Sequence, residues 1–317
     1  MMTSEVRPPA TKTSTAALHL PTLVAFFIIY IVWGSTFFAI RIAVASVPPL
    51  FAAAVRFVPA GLILYLWGRL RGAPSPSRPE WLNLALLGAL MFFITYSALF
   101  WAEKSVPSGV ASVLVSTLPI STMLLEVFVL KQEPFRWPVL PALALGFVGV
   151  IVLVLHSGSG DVPLLPALVI VVGEIAWALG AVLSRRLVLP EAKTITAGAE
   201  MLTGGLMLLA GSYAAGELQP LPRVSPEAAL AIVYLIIAGS LIGFTAFVWL
   251  LQRMPATKVS SHAYVNPVVA LILGAWLGGE VLSTRTLLGS ALVLSSILVI
   301  FLTRAAANPQ RSALRGN

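Results

Sequence analysis

Ten apolar segments follow one another along the chain, separated only by short polar or Pro/Gly-rich breaks. They run near 22–45, 50–69, 81–102, 107–130, 137–156, 164–184, 194–214, 227–251, 257–279 and 285–303. The first contains LVAFFIIYIVWGSTFFAI (23–40), with no charge before Arg41. Uninterrupted apolar runs of more than about 18 residues predict helices that cross a bilayer. The breaks, among them VPP (47–49), KQEPFR (131–136) and HSGSGDVP (156–163), leave no room for a soluble domain. The pattern predicts an all-α integral membrane protein of ten transmembrane helices. AVA at 43–45 resembles a signal-peptidase site, but the apolar run before it is longer than a signal core, so the first helix is expected to stay uncleaved.

Composition agrees: 58% of residues are apolar and 10% charged, with a mean hydropathy of +0.95. A soluble domain carries about 25% charged residues. The net charge of +8 would suit an anionic partner or nucleic acid, but its distribution argues for topology instead. Cytoplasmic loops carry the excess of Lys and Arg. Fifteen basic residues fall on the faces holding Arg7, Arg69, Lys131, Arg185, Arg253 and Arg304, against four (Arg41, Lys104, Arg223 and Arg285) on the opposite faces. Both termini are therefore expected in the cytoplasm, with 1–20 a disordered tail and 304–317 a second tail. Cysteine is absent, which removes disulfides and thiolate chemistry.

The chain also repeats itself. PSGVASVLVSTLP (107–119) and PATKVSSHAYVNP (255–267) are both bounded by prolines and share a serine at the same phase, 148 residues apart. At that offset Trp101 meets Trp249, Ser112 meets Ser260 and Pro119 meets Pro267, and after a slip of one residue Glu133 meets Glu280. At an offset of 144, WGSTFFAIR (33–41) meets WALGAVLSR (177–185), and Arg56 falls opposite Glu200. Residues 21–156 and 157–303 thus read as two five-helix copies. Because five is odd, the second copy enters the membrane from the other side, an inverted repeat of the kind on which many secondary carriers alternate access.

WGSTFFAIR, FAAAVRF (51–57), ALFWAEKSVPSGVASVLVSTLPI leading to LKQEP, and WLLQRMPATKVSSHAYVNPVVALILGAWLGGE resemble the drug/metabolite transporter superfamily in its EamA-type branch. The resemblance covers about residues 20–303. It implies an inner-membrane secondary transporter with a central cavity, exporting amino acids (aromatic ones among them), other metabolites or drugs. HAYVN in helix 9 departs from the family pattern and is a candidate determinant of substrate preference.

Charges inside a bilayer mark function by default. Arg56, about six residues into helix 2 and ~9 Å deep, is either a fixed cation for a substrate carboxylate or a side chain reaching the outer interface. Glu200 lies at similar depth from the inner side, too far along the normal for a direct pair with Arg56. Glu174, one turn before Trp177 in helix 6, is the candidate for carrying a coupling proton or for bonding a substrate amine. The alternative is a carboxyl bonded to a neighbouring helix. Glu126 reads as interfacial, and Glu103 and Lys104 as a solvated helix end.

On helix 4, Ser112, Ser116, Pro119 and Met123 share a face; on helix 9, Ser260, Tyr264 and Pro267 do, with Asn266 beside them. Proline frees carbonyls that need polar partners, so these faces are expected to line the cavity, tight packing being the other use of small hydroxyls. Trp33, Tyr96, Trp177 and Tyr264 are expected to form one stacking surface for aromatic or cationic substrates. His262 reads as structural. The expected partners are a small-molecule substrate and the bilayer, with no nucleic acid, ATP, metal or cofactor, and a monomer or homodimer. No HExxH, Gly-x-Ser-x-Gly or paired aspartates support an intramembrane enzyme. A channel would need a filter or charge rings, and a multidrug or cation efflux carrier is the nearer alternative.

Overall fold

The computed structural model describes residues 20–129, 137, 140–154, 162–220, 222–251, 253, 259 and 261–306. The expectations for residues 1–19 and 307–317, for Glu133 and Ser260, and for the proline-led start of the second repeat motif lie outside these residues, while 304–306, expected in the second tail, are helical. The described residues are all-helical, without strands. Seven helices are long and apolar enough to cross a membrane: α1 (Leu20–Val44), α2 (Pro49–Leu70), α3 (Arg78–Ala102), α4 (Ser108–Val129), α6 (Leu164–Leu183), α7 (Lys193–Ala214) and α8 (Pro226–Leu250). Three further apolar helices are described, α5 (Leu140–Val154), α9 (His262–Gly278) and α10 (Thr284–Ala306).

Large apolar side chains point outward along nearly every helix, including Phe128, Phe147, Ile175, Leu230 and Trp276. Such a surface suits lipid rather than water. In lipid the association of helices depends on close packing, and small residues permit it. α2 and α7 meet along their length through glycines. A Cβ on Gly61 would lie 2.5 Å from the Leu202 amide nitrogen, one on Gly205 would lie 2.9 Å from that of Val58, and one on Gly198 would collide with the backbone of Tyr65. α5 and α10 repeat the device: Cβ atoms on Gly146 and Gly149 would lie 2.6 Å from Ser296 Oγ and 2.8 Å from the Val293 nitrogen. α1 packs on α8, α3 on α6, and α9 on α1 and α4.

Four helices are interrupted by π-helical segments, at Ile28–Val32 in α1, Gly88–Ile94 in α3, Leu125–Val129 in α4 and Leu235–Ile242 in α8. A π segment loosens the backbone ladder and leaves carbonyls for other donors. Thr95 Oγ1 takes the Leu90 carbonyl at 3.0 Å, and Trp33 Nε1 takes that of Gly239 at 3.0 Å. α4 is additionally broken by a turn at Ser116–Thr117, just before Pro119.

Carboxylates hold the end of the bundle predicted to face outward. Glu280, just beyond α9, accepts from the Ser108 amide (2.7 Å), the Ser108 hydroxyl (2.8 Å) and the Gly109 amide (3.2 Å) at the start of α4. Glu217, just beyond α7, accepts from the Leu50 and Phe51 amides at 3.3 and 2.9 Å at the start of α2. Each satisfies orphan donors at a helix N-terminus and complements its positive dipole end. Arg41 Nη1 donates to the carbonyls of Glu103 (2.8 Å) and Val106 (3.1 Å), tying α1 to the turn between α3 and α4.

Candidate functional site

Arg56 lies in the middle of the bundle, 4% exposed. Its Nε donates to Ser240 Oγ at 3.1 Å, so the side chain neither reaches an interface nor caps its own helix end. The guanidinium carbon sits 4.6 Å from the Phe57 ring centre and 5.2 Å from that of Tyr96. On the other side Gly239 allows a close approach, since a Cβ there would meet Arg56 Nη2 at 3.4 Å and Thr36 Cγ2 at 3.0 Å. Arg56 Nη1 is buried without a hydrogen-bond partner. Ser240 and Gly239 belong to the π segment of α8, and Phe92, 5.1 Å from Phe57, belongs to that of α3. Two irregular helix segments thus flank one desolvated cation.

The aromatic wall beside it is continuous. Phe57 and Tyr96 have ring centres 4.4 Å apart, Phe92 and Tyr96 stack at 6.0 Å, and Trp177 stands edge-on to Tyr96 at 6.1 Å. Glu174, 3% exposed, lies within electrostatic reach of the Tyr96 hydroxyl. The adjoining Gly173 carbonyl accepts from Thr95 Oγ1 at 2.9 Å. Arg56, Trp177 and Glu174, singled out from sequence together with Tyr96, therefore all lie near the Tyr96 ring. Phe57, Phe92 and Ser240 join them without having been singled out.

The single stacking surface expected from Trp33, Tyr96, Trp177 and Tyr264 is divided. Trp33 packs 5.1 Å from both Phe247 and His262 in a second cluster, because its indole nitrogen is drawn to the π segment of α8. Asn266 lies beside His262, with Nδ2 and Nδ1 3.4 Å apart. Tyr264 turns toward α10, where its hydroxyl donates to the Ile297 carbonyl at 3.3 Å.

The hydroxyls on α4 are also committed. Ser112 and Ser116 donate to the carbonyls of Gly109 and Val113 at 2.7 and 2.6 Å, each one turn back in its own helix. Pro267 is buried in α9, while Pro119, in α4, is half-buried. Among the described residues no cluster of three His, Cys, Asp or Glu could hold a metal ion.

Glu103 departs most from expectation. It is fully buried, and neither carboxylate oxygen has a hydrogen-bond partner, where the helix-end position predicted solvation. The cause is tertiary: α1 with Arg41, the start of α4 and the Glu280 segment close over the end of α3. Burial holds this carboxyl well above the ordinary range, with Glu280 adding to the push and Arg41 and Arg56 opposing it. Glu126, by contrast, makes an ion pair with Arg185 at 3.1 Å, and Arg185 is two-thirds exposed. Such a pair contributes little.

A desolvated arginine, an aromatic wall and helices opened by π segments, all inside a bundle with a lipid-suited surface, fit a membrane transporter. The comparisons agree. The model of the EamA-like transporter family matches residues 20–155 and again 164–302. The uncharacterized inner membrane transporter YedA of Escherichia coli K12 is 39% identical over 289 residues, covering 89% of this chain and 91% of its own. Protein PecM of Dickeya dadantii is 30% identical over 85% of this chain and 88% of its own. A probable amino-acid metabolite efflux pump of Salmonella typhimurium is 25% identical over 86% and 92%. A solved crystal structure, 20% identical, superposes with a TM-score of 0.60 over 90% of this chain and 98% of that one, a likeness of fold alone. The chain belongs to the EamA-like transporter family, and is a multi-pass transporter of the bacterial inner membrane.

Proposed function

We propose that the chain exports small metabolites bearing a carboxylate, amino acids among them, by alternating access around Arg56. The observation that carries this reading is the buried Arg56 Nη1 without a partner. An arginine stays charged at any physiological pH, so this position offers a desolvated donor to an incoming anion, and the guanidinium fork suits a carboxylate. Phe57, Phe92, Tyr96 and Trp177 offer apolar faces to the rest of the substrate. A 25%-identical relative is named as a probable amino-acid metabolite efflux pump.

In the same reading the chain forms ten transmembrane helices as two inverted five-helix repeats, 21–156 and 157–303, with both termini cytoplasmic. Support comes from the double family match and from the packing, in which α2 meets α7, α4 meets α9 and α5 meets α10, while α1–α8 mirrors α6–α3. The π segments Gly88–Ile94 and Leu235–Ile242 also correspond at the 148-residue offset, the second beginning one residue early. Trp33, Ser112, Ser116, Pro119, Tyr264, Asn266 and Pro267 are assigned to the walls that move around the Arg56, Tyr96, Trp177 and Glu174 pocket, with Glu174 a candidate for a substrate amine or a coupling proton.

Counterflow of radiolabelled L-phenylalanine in proteoliposomes tests the export reading. Wild-type protein should show saturable counterflow. Arg56→Gln should weaken apparent affinity by about 30-fold or more, the equivalent of roughly 2 kcal/mol for a lost buried charge contact, and Arg56→Lys should recover part of it. Flux that never saturates and ignores substrate on the opposite side would overturn a carrier.

A further inference from the structure

Two buried polar groups near Arg41 and the start of α4 are left without partners: Arg56 Nη1, and both oxygens of Glu103. Glu103 lies within electrostatic reach of Arg56, yet no hydrogen bond joins them. The charged groups facing Glu103 are Arg41 from α1, Arg56 from α2 and Glu280 from the segment after α9, while its neighbour Lys104 points into solvent. Glu280 is already satisfied by three donors at the start of α4, and Arg41 Nη1 by two carbonyls. Only Arg56 and Glu103 in this group have idle polar atoms, and they carry opposite charges.

We propose that Glu103 is a proton-binding site linked to the Arg56 pocket: it takes up a proton when a substrate carboxylate reaches Arg56 and releases it when that carboxylate leaves. The physical reason is charge balance in a water-poor interior. With the pocket empty and the pH high enough to ionise Glu103, its carboxylate is the internal counter-ion that makes a buried guanidinium tolerable. With an external carboxylate on Arg56, a second unpaired anion close to Glu280 would stand without compensation. A proton on a Glu103 oxygen removes it, the proton coming from water and no other bond changing. Binding of anion and proton is then cooperative, and by linkage each strengthens the other equally. The substrate and one proton cross together, the proton offsetting the negative charge that the carboxylate brings to the Arg56 site. Glu174 is not among the groups that act on Glu103 and takes no part in this exchange. The inference rests on the carboxylate reading of Arg56, and the test separates the two.

The test uses the full-length protein in detergent with L-phenylalanine as probe. Above the pH at which Glu103 ionises in the ligand-free protein, wild type in weakly buffered solution should take up about one proton per probe bound, and its Kd should rise about tenfold per pH unit. Glu103→Gln should still bind, with no proton uptake and a flat Kd, and Glu103→Asp should restore both. Unchanged uptake and slope in Glu103→Gln would overturn the proposal. If the probe binds neither protein, the carboxylate reading of Arg56 falls instead. Infrared difference spectra of the ligand-free protein on lowering the pH then decide Glu103 by themselves. A protonated-carboxyl C=O band that appears in wild type and is missing in Glu103→Gln supports the proton site, and identical spectra sink it.

Discussion

α2–α7 and α4–α9 are both pairs that the proposed repeat relates, yet they are joined in opposite ways. Along α2–α7 the glycines Gly61, Gly198 and Gly205 bring backbone against backbone from one end to the other. α4 and α9 touch near the predicted outer end, where Leu271 fills the space beside Gly109 (2.7 Å from a Cβ placed there) and Glu280 grips the start of α4. Further along, α4 is broken at Ser116–Thr117, and its serine hydroxyls bond their own carbonyls rather than α9. A seam of glycines on backbone has one snug arrangement and resists sliding. A pair held by one carboxylate clamp and otherwise self-satisfied gives up only the clamp's hydrogen bonds when it separates. In the proposed alternating-access reading, the difference makes α2–α7, which carries Arg56, the fixed frame and α4–α9 the moving wall.

The strongest way to break this division is to overfill the glycine seam. Gly61→Val should cost about 3 kcal/mol or more and appear as loss of monodisperse protein or a sharply lowered Tm in detergent. A comparable loss from Gly109→Val would erase the distinction. Next comes the clamp. Glu280→Gln should lose about 1–2 kcal/mol of charge-assisted bonding at the α4 N-terminus and shift the protein toward a form open at that end. The chain has no cysteine of its own, so a single Ser112→Cys can report this: its reaction with a membrane-impermeant thiol reagent should quicken about tenfold. Glu217→Gln removes the same chemistry from α2. It should lower stability by about 1 kcal/mol and leave Ser112→Cys labelling unchanged; faster labelling would show that α2 moves as well. The smallest effect is expected from Pro267→Ala, under about 1 kcal/mol in Tm-derived stability, with slower counterflow as its signature.

Hydropathy made the helical architecture readable because each long span is apolar over the length a bilayer requires and carries few charges. The turn from α1 to α2 at VPP and the break before Pro119 were legible too, since proline leaves few alternatives. The site was only half legible. Arg56 and Glu174 stood out as charges in apolar runs. Ser240 looked like any small residue in a membrane helix, and nothing in GALMFFI or LIIAGSLI announces a π segment, which is a choice made by packing. Glu103 was misread because its burial depends on Arg41 and on residues around 280, 62 positions before it and 177 after it. The division of the aromatic residues had the same cause: Trp33 follows a carbonyl on α8 that becomes available only after the helix loosens.

Glu217 and Glu280 have one more consequence, for the potential that a departing solute experiences. The starts of α2 and α4 would otherwise present rows of amide hydrogens, an attractive resting place for any anion. Each is already occupied by an internal carboxylate. An anion moving toward this end from Arg56 therefore meets no second trap and is not delayed at the mouth. In the proposed export reading, affinity is concentrated at Arg56, and the starts of α2 and α4 are closed to the departing anion.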